Sequence, residues 1–249
     1  MALRMARSLP MILEILPERT GGAAENMASD FMMLQRYPRE AVARYRHYGW
    51  RSPAFTFGYS QKISFVRSQL PQGEAFDLCR RPTGGGIVDH RDDWTYSVVI
   101  PRGHPLEEAR ATQSYRVIHE ALALSLGALG VAVALKATSE PPPEGGPGGP
   151  AGVCFERAEI FDVVHAQTGD KIAGGAQKRN KKGLLFQGSI WKPAIGVVLD
   201  WERFGADFEG RIEEVLGAER LQSPWPEFDE SEAEGLVEKY SSPEWMEFR

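Results

Sequence analysis

Arg80-Arg81-Pro82-Thr83-Gly84-Gly85-Gly86, running on through Ile87-Val88-Asp89-His90 to Trp94-Thr95-Tyr96-Ser97, is the stretch around which the chain is organised. Three consecutive glycines cost backbone entropy, so a folded chain keeps them where it turns sharply or where a ligand approaches the peptide atoms closely. Arginines lead in and β-prone residues lead out, which reads as a hairpin: strand, glycine turn, strand. Adjacent strand positions point to opposite faces, so one of the two arginines is expected to share the glycines' space. A guanidinium beside bare N–H groups suits a phosphate or a carboxylate. The glycines are not followed by Lys-Ser/Thr as in a P-loop, and their spacing is not that of a dinucleotide fingerprint. A tight hairpin with solvent-facing arginines has the same composition.

Upstream, Met11 to Leu16 is a short apolar run closed by Pro17 and suits an opening strand. Met27, Phe31 and Leu34 share a helical face within Glu25 to Leu34, with Pro38 beyond it. Tyr45 to Trp50 and Ala54 to Gln61 read as strands, and Phe55, Phe57 and Tyr59 at period two form half of a sheet's core or wall an apolar pocket. Lys62 to Leu70 is a short helix or a loop.

Downstream, Pro105 to Leu129 reads as one long helix with Tyr115, Ile118, Leu122 and Leu129 along its buried stripe and Gly130 as its stop. His119 beside that stripe is expected to be a packing or surface residue rather than a ligand. Residues 140–152, rich in proline and glycine, exclude helix and interior strand and lead to Val153-Cys154-Phe155. Glu159 to Ala166 and Lys171 to Arg179 are strands, and Asn180 to Gly183 turns back into Leu184 to Trp191. The small residues at 173 to 176 leave side-chain volume missing from the sheet, which something else should occupy. Past Pro193, helices from Phe208 to Leu216 and from Asp229 to Tyr240 read as cover for the sheet. The expected organisation is a domain over residues 1–195 with a helical extension over 196–249 packed on it.

The length of 249 residues and evenly spread apolar residues point to one core with appended segments. A net charge of −5 speaks against general nucleic-acid binding, so any basic surface must be local. Two cysteines are too few for a secreted disulfide framework, which places the chain in a reducing compartment, the cytoplasm. No apolar run has the length of a membrane span, and no signal peptide is expected from Met1 to Pro10. Cys79 lies within a strand and reads as a small buried hydrophobe. Cys154 stands at the end of the proline-glycine loop, where it is either buried in the same way or a nucleophile whose thiolate a cation such as Lys171 favours.

Several blocks together resemble the lipoate-protein ligase and octanoyltransferase family. They are Asn26-Met27-Ala28, Arg46 to Trp50, Phe57 to Gln61, Arg80 to Gly86 with His90, Thr95-Tyr96-Ser97, Lys171 to Arg179 and Gln187-Gly188-Ser189-Ile190, in the family's order over roughly residues 11 to 195. The resemblance implies an α+β fold of mixed and antiparallel β-sheets flanked by helices, the biotin/lipoate protein ligase-like, class II synthetase-like catalytic fold. It implies a tunnel for an octanoyl or lipoyl chain. Substrate-binding residues would be Arg80, Arg81, Thr83, Gly84, Gly85, Gly86, His90, Gly174, Gly175, Ala176, Gln177, Gly188 and Ser189, and the catalytic pair Cys154 and Lys171. Cys154 falls where one cysteine-dependent octanoyltransferase branch has its nucleophile. That branch usually carries arginine where this chain has Gly86, and the family often has histidine where this chain has Gln187.

A transferase of this kind takes octanoyl from acyl carrier protein without a cofactor and without a metal. Its acceptors are lipoyl domains of 2-oxoacid dehydrogenases or the glycine-cleavage H protein, with no nucleic acid or membrane partner. The alternatives are a ligase that uses ATP and Mg²⁺ to form an acyl-adenylate, and a non-catalytic acyl- or carrier-binding module. Backbone N–H groups at Gly174 to Ala176 or in the glycine turn are candidates for an oxyanion site. Lys178, Arg179, Lys181 and Lys182 could steer an acidic partner or simply form a solvated turn.

Overall fold

Apolar Ile12–Ile15, cut off by Pro17, forms strand β1, and the computed structural model follows the chain from there through residues 10–138 and 158–248, the described residues. Next come β2 (Arg19–Gly21), helix α1 (Ala23–Gln35), β3 (Val42–Trp50), β4 (Ala54–Phe57), α2 (Ile63–Gln69), β5 (Asp77–Arg80), β6 (Ile87–Asp89) and β7 (Asp93–Pro101). The chain continues with α3 (Pro105–Glu108), α4 (Ala111–Ala128), β8 (Val133–Leu135), β9 (Val163–His165), β10 (Lys171–Asn180) and β11 (Gly183–Trp191). It ends with α5 (Trp201–Leu216), β12 (Glu219–Gln222), α6 (Glu230–Ser241) and α7 (Pro243–Glu247). Cys154 and residues 140–152 lie outside the described residues.

The larger sheet runs in the order β12-β1-β3-β7-β11-β10-β9-β8, with β2 beside the end of β3. β1 is parallel to both β3 and β12, while β3, β7, β11 and β10 are successively antiparallel. Alternation along the central strands gives the sheet two unlike faces. Trp94, Tyr96, Val98 and Ile100 of β7 join Leu184, Phe186 and Ile190 of β11 in the main core, under α4 and α5. Thr95 and Ser97 look the other way, toward α1 and a smaller sheet of order β5-β4-β6. The residues after 196 do more than cover: Phe204, Phe208 and Ile212 of α5 belong to the main core, and β12 extends the sheet beyond β1.

Three expectations change. The glycine stretch is not a hairpin, because β5 and β6 do not pair with each other; β4 lies between them, parallel to β5 and antiparallel to β6. The loop from Arg81 to Gly86 therefore crosses the end of β4, held by Arg81 N–H to Phe57 O, Tyr59 N–H to Thr83 O and Gly58 N–H to Gly86 O. A Cβ on Gly58 would stand 2.0 Å from the Gly85 carbonyl oxygen, so the two backbones cross where no side chain fits. The long helix is broken after Glu108, where Ala109 and Arg110 take extended conformations and α4 restarts without a side-chain cap. Glu159 to Ala166 is a turn followed by only the short β9, with Phe161 at φ +68°, a left-handed conformation rare for a bulky residue.

Candidate active site

Between the two sheets lies a partly open cavity, lined from Lys171, Gly174, Gly175 and Ala176 on β10, through Gln187, Gly188 and Ser189 on β11 and Thr95 on β7, to Tyr48 on β3. It thus passes under four adjacent strands, a span of about 14 Å at ordinary strand spacing. Its roof is Met27 of α1 together with Thr56, Arg81, Gly85, Val88 and His90 from the small sheet and its loop. Phe55 and Phe57 point away from it into a separate cluster with Val66, Leu70 and Ile87, so the core reading holds for them.

Lys171, with its side chain only 7% exposed, places Nζ 2.7 Å from Asp162 Oδ2. Gly174 makes this possible, since a Cβ there would stand 2.7 Å from Lys171 Cε and 2.8 Å from Nζ. The Tyr115 hydroxyl donates to the other Asp162 oxygen and accepts the Gly175 N–H at 2.9 Å, and the Glu159 N–H adds a bond to Asp162 Oδ2 at 2.7 Å. Burial, with Asp162 as the next cause, holds the Tyr115 hydroxyl well above its ordinary value, so it stays a donor. Behind them His119 Nδ1 donates to Phe161 O, which anchors the strained residue before Asp162, and burial drives the imidazole down to about 4. His119 is therefore a neutral packing residue, as its place beside the stripe implied.

The volume missing from 173 to 176 is partly taken by the protein itself. Beneath Gly175 lies the Phe186 ring, 2.6 Å from where a Cβ would be, and Tyr96 lies as closely beneath Gly188. Because the Gly175 N–H turns outward to Tyr115, the antiparallel ladder turns those of Gly174 and Ala176 inward to β11. None of the three is left for an oxyanion.

The two arginines divide as strand alternation demands. Arg81 turns inward, but as a staple: it donates to Thr56 Oγ1 at 2.9 Å, Gly84 O at 2.8 Å and Gly86 O at 3.0 Å. Thr56 also touches His90 Nε2 at 2.7 Å, and His90 Nδ1 is 2.7 Å from Asp93 Oδ2. Thr56 Oγ1, which accepts from Arg81, thus links the staple to His90, whose other ring nitrogen faces Asp93. The same Asp93 oxygen accepts from Thr95 and Ser189. Arg80 does not border the cavity: fully buried, it donates to the carbonyls of Tyr59, Gln61, Trp245 and Met246 and ties the loop to α7.

Of the other expected residues, Gly85, His90, Gly174, Gly175, Ala176, Gly188 and Ser189 border the cavity with Lys171 and Arg81. Gly84 and Gln177 border a neighbouring cleft instead. Gly86 serves as an acceptor for Arg81, and the Thr83 hydroxyl donates to Gln187 Oε1. Cys79 is buried and its thiol is pushed up to about 12, which leaves it unreactive. Sequence reasoning missed Asp162, Tyr115 and the chain from Thr83 through Gln187 to Asp30, where Gln187 Nε2 donates at 2.6 Å and Arg46 Nε at 2.8 Å. The available signal was the departure at Gln187, where the family often has histidine. Among the described residues no three His, Cys, Asp or Glu side chains group as metal ligands, and no helix is long and apolar enough to cross a membrane.

Residues 22–191, which hold every element of this cavity, match the lipoyl protein ligase A/B catalytic domain. The chain belongs to that family. Octanoyltransferase LipM of Symbiobacterium thermophilum is 32% identical over 227 residues, covering 90% of this chain and 78% of that protein. Octanoyltransferase LipM of Kyrpidia tusciae is 34% identical over 172 residues, covering 68% of this chain and 62% of that protein, and the match to Halalkalibacterium halodurans LipM covers 61% of it. The chain thus spans about three fifths of the length of several curated relatives it matches.

Among solved structures, the bipartite lipoate protein ligase of Thermoplasma acidophilum, studied with its E2 lipoyl domain, superposes with a TM-score of 0.74 at 20% identity over 96% of this chain and 98% of that one. Lipoate-protein ligase A bound with ATP gives 0.70 at 20% identity, over 96% and 98%. These likenesses establish the lipoate-protein ligase fold for this lipoyl protein ligase A/B family member.

Proposed function

We propose that this family member is an octanoyltransferase of protein lipoylation, moving a medium straight acyl chain from a carrier thioester to a lysine of a lipoyl-domain protein through Cys154. The observation that carries this reading is the narrow, largely apolar cavity that runs under four strands away from the buried Lys171 ammonium. At roughly 0.8 kcal/mol per methylene, a chain of about eight carbons gains several kcal/mol from such walls alone. The two curated relatives at 32% and 34% identity are named octanoyltransferases, which favours transfer over ATP-dependent ligation.

In the first step Cys154 gives up its proton and its thiolate attacks the thioester carbon; a new carbon–sulfur bond forms, the donor's carbon–sulfur bond breaks, and the departing sulfur takes up that proton and leaves as a thiol. In the second, the acceptor amine attacks the same carbon, the bond to Cys154 breaks, and the amine's proton passes to the departing sulfur. No step needs ATP or an oxidant. Lys171, fixed by Asp162, supplies the positive charge at the cavity mouth. With the β10 amides spent, the glycine turn at Gly85 is left to face the developing oxyanion. Acyl carrier protein and an acidic lipoyl domain or H protein are the expected partners. Lys181 and Lys182 at the β10–β11 tip remain exposed to steer them, whereas Arg179 is folded onto Leu106, Glu107 and Ser114.

The test is intact mass after incubation with octanoyl carrier protein. An acyl adduct on Cys154, absent from Cys154→Ala, supports transfer. Full activity in Cys154→Ala, or lipoate-stimulated ATP–pyrophosphate exchange, would replace it with the ligase reading.

A further inference from the structure

A thioester carbon carries two arms, and the cavity accounts for only one of them. On the other side of the β10 glycines lies an open cleft of about 720 Å³, which shares Gly85, Gly175 and Ala176 with the cavity. Their junction is where the Lys171 side chain lies against Gly174 and where Asp162 and Tyr115 fix Gly175. A carbonyl held at that junction directs its acyl tail into the cavity and its sulfur substituent into the cleft.

We propose that this cleft receives the amide-bearing thiol arm of a pantetheine-type acyl donor; the proposal rests on the transferase reading. Three features of the walls fit that ligand. Among the described residues the lining holds no lysine or arginine, and its one charged member is the carboxylate of Glu159, a poor match for a nucleotide's phosphates. Ile160, Phe161, Ala111 and Thr112 in the lining suit a slender uncharged chain. The third feature is a strand edge. Among the described residues β9 pairs with β10 only up to Ala173, and beyond it the outward Gly175 N–H meets Tyr115. Strand alternation turns the Gly175 carbonyl and the Gln177 N–H to the same side, where an extended amide chain can pair with them as an added strand would.

The test compares two donors that differ only in that arm, octanoyl-pantetheine and S-methyl thiooctanoate, by the rate of acyl adduct formation on the protein. Thr112→Trp and Ile160→Trp fill the cleft from two separate segments of the chain, neither of which lines the cavity. Each is expected to lower kcat/KM for octanoyl-pantetheine by about tenfold or more and to change that for the methyl thioester by less than about threefold. Equal losses with both donors in a variant that melts like the wild type, or no loss with either, would overturn the assignment of the cleft. If the wild type accepts octanoyl from neither thioester, the transferase reading fails first and the cleft assignment with it.

Discussion

Lys171 Nζ sits 2.7 Å from Asp162 Oδ2 inside a space that exists only because residue 174 has no side chain. The ion pair is nearly closed to solvent, so neither partner has water to fall back on.

Gly174→Ala tests the space directly. Gly174 does not have a left-handed φ, so alanine is tolerated by the backbone and the clash falls on the Lys171 side chain. Displacing the ammonium by about 1 Å is expected to cost on the order of 100-fold in transfer rate. The melting temperature should move little by comparison. Steady-state transfer and a thermal melt on the same preparation check both; an unchanged rate would show that the ammonium's place is immaterial.

Arg81→Lys tests the staple. A guanidinium reaches Thr56 Oγ1, Gly84 O and Gly86 O at once, and an ammonium on a flexible stem cannot hold that geometry. The variant should lose roughly 1 to 3 kcal/mol in urea unfolding and show a raised KM for the acyl donor as the turn loosens. A variant as stable as the wild type would mean that the loop holds its shape through its backbone bonds alone.

The fold was largely legible because hydrophobic period and punctuation agree along most of the chain, as in β1, β10, β11 and the Gly130 stop. The glycine loop misled for a physical reason. Local sequence shows a turn between two β-prone runs, but not that β4, more than twenty residues earlier, slides between them. Lys171 could be found because it opens a strand of small residues. Asp162 could not: it follows Phe161, a residue in a left-handed conformation whose backbone is bonded to His119 and Lys136, both distant in sequence. Arg80 and Arg81 are equivalent as letters, and what tells them apart is tertiary: the carbonyls of Tyr59, Gln61, Trp245 and Met246 gather around Arg80, and Thr56, Gly84 and Gly86 around Arg81.

Removing α7 by ending the chain at Ser242 follows from that division. Arg80 Nε and Nη2 lose Trp245 O and Met246 O, and the buried guanidinium keeps only Tyr59 O and Gln61 O among these carbonyls. Hydrogen bonds to a charged group are the costly ones to lose, so the truncation should cost roughly 3 kcal/mol. Urea midpoints of the full and shortened chains measure it.

His119 supplies a pH dependence whose sign is fixed by its burial. The imidazole is fully enclosed, edge-on to Tyr115 and Phe186, with Nδ1 on Phe161 O, and burial lowers it from an ordinary 6.5 to about 4. Above the ordinary value neither the folded nor the unfolded chain binds this proton, and the folded state has its full stability. Between the two values the unfolded chain takes up a proton that the folded chain refuses, so stability falls with pH by about 1.4 kcal/mol per unit, roughly 3 kcal/mol in all. His119→Asn can keep the bond to Phe161 O but cannot titrate. It should start less stable near neutrality through lost packing, and the gap to wild type should close as the pH falls toward about 4, because only the wild type carries this linkage. Urea unfolding of both proteins across that range cancels the shared carboxylate titrations. Parallel curves would mean that the His119 imidazole is as free to take a proton in the folded chain as in the unfolded one.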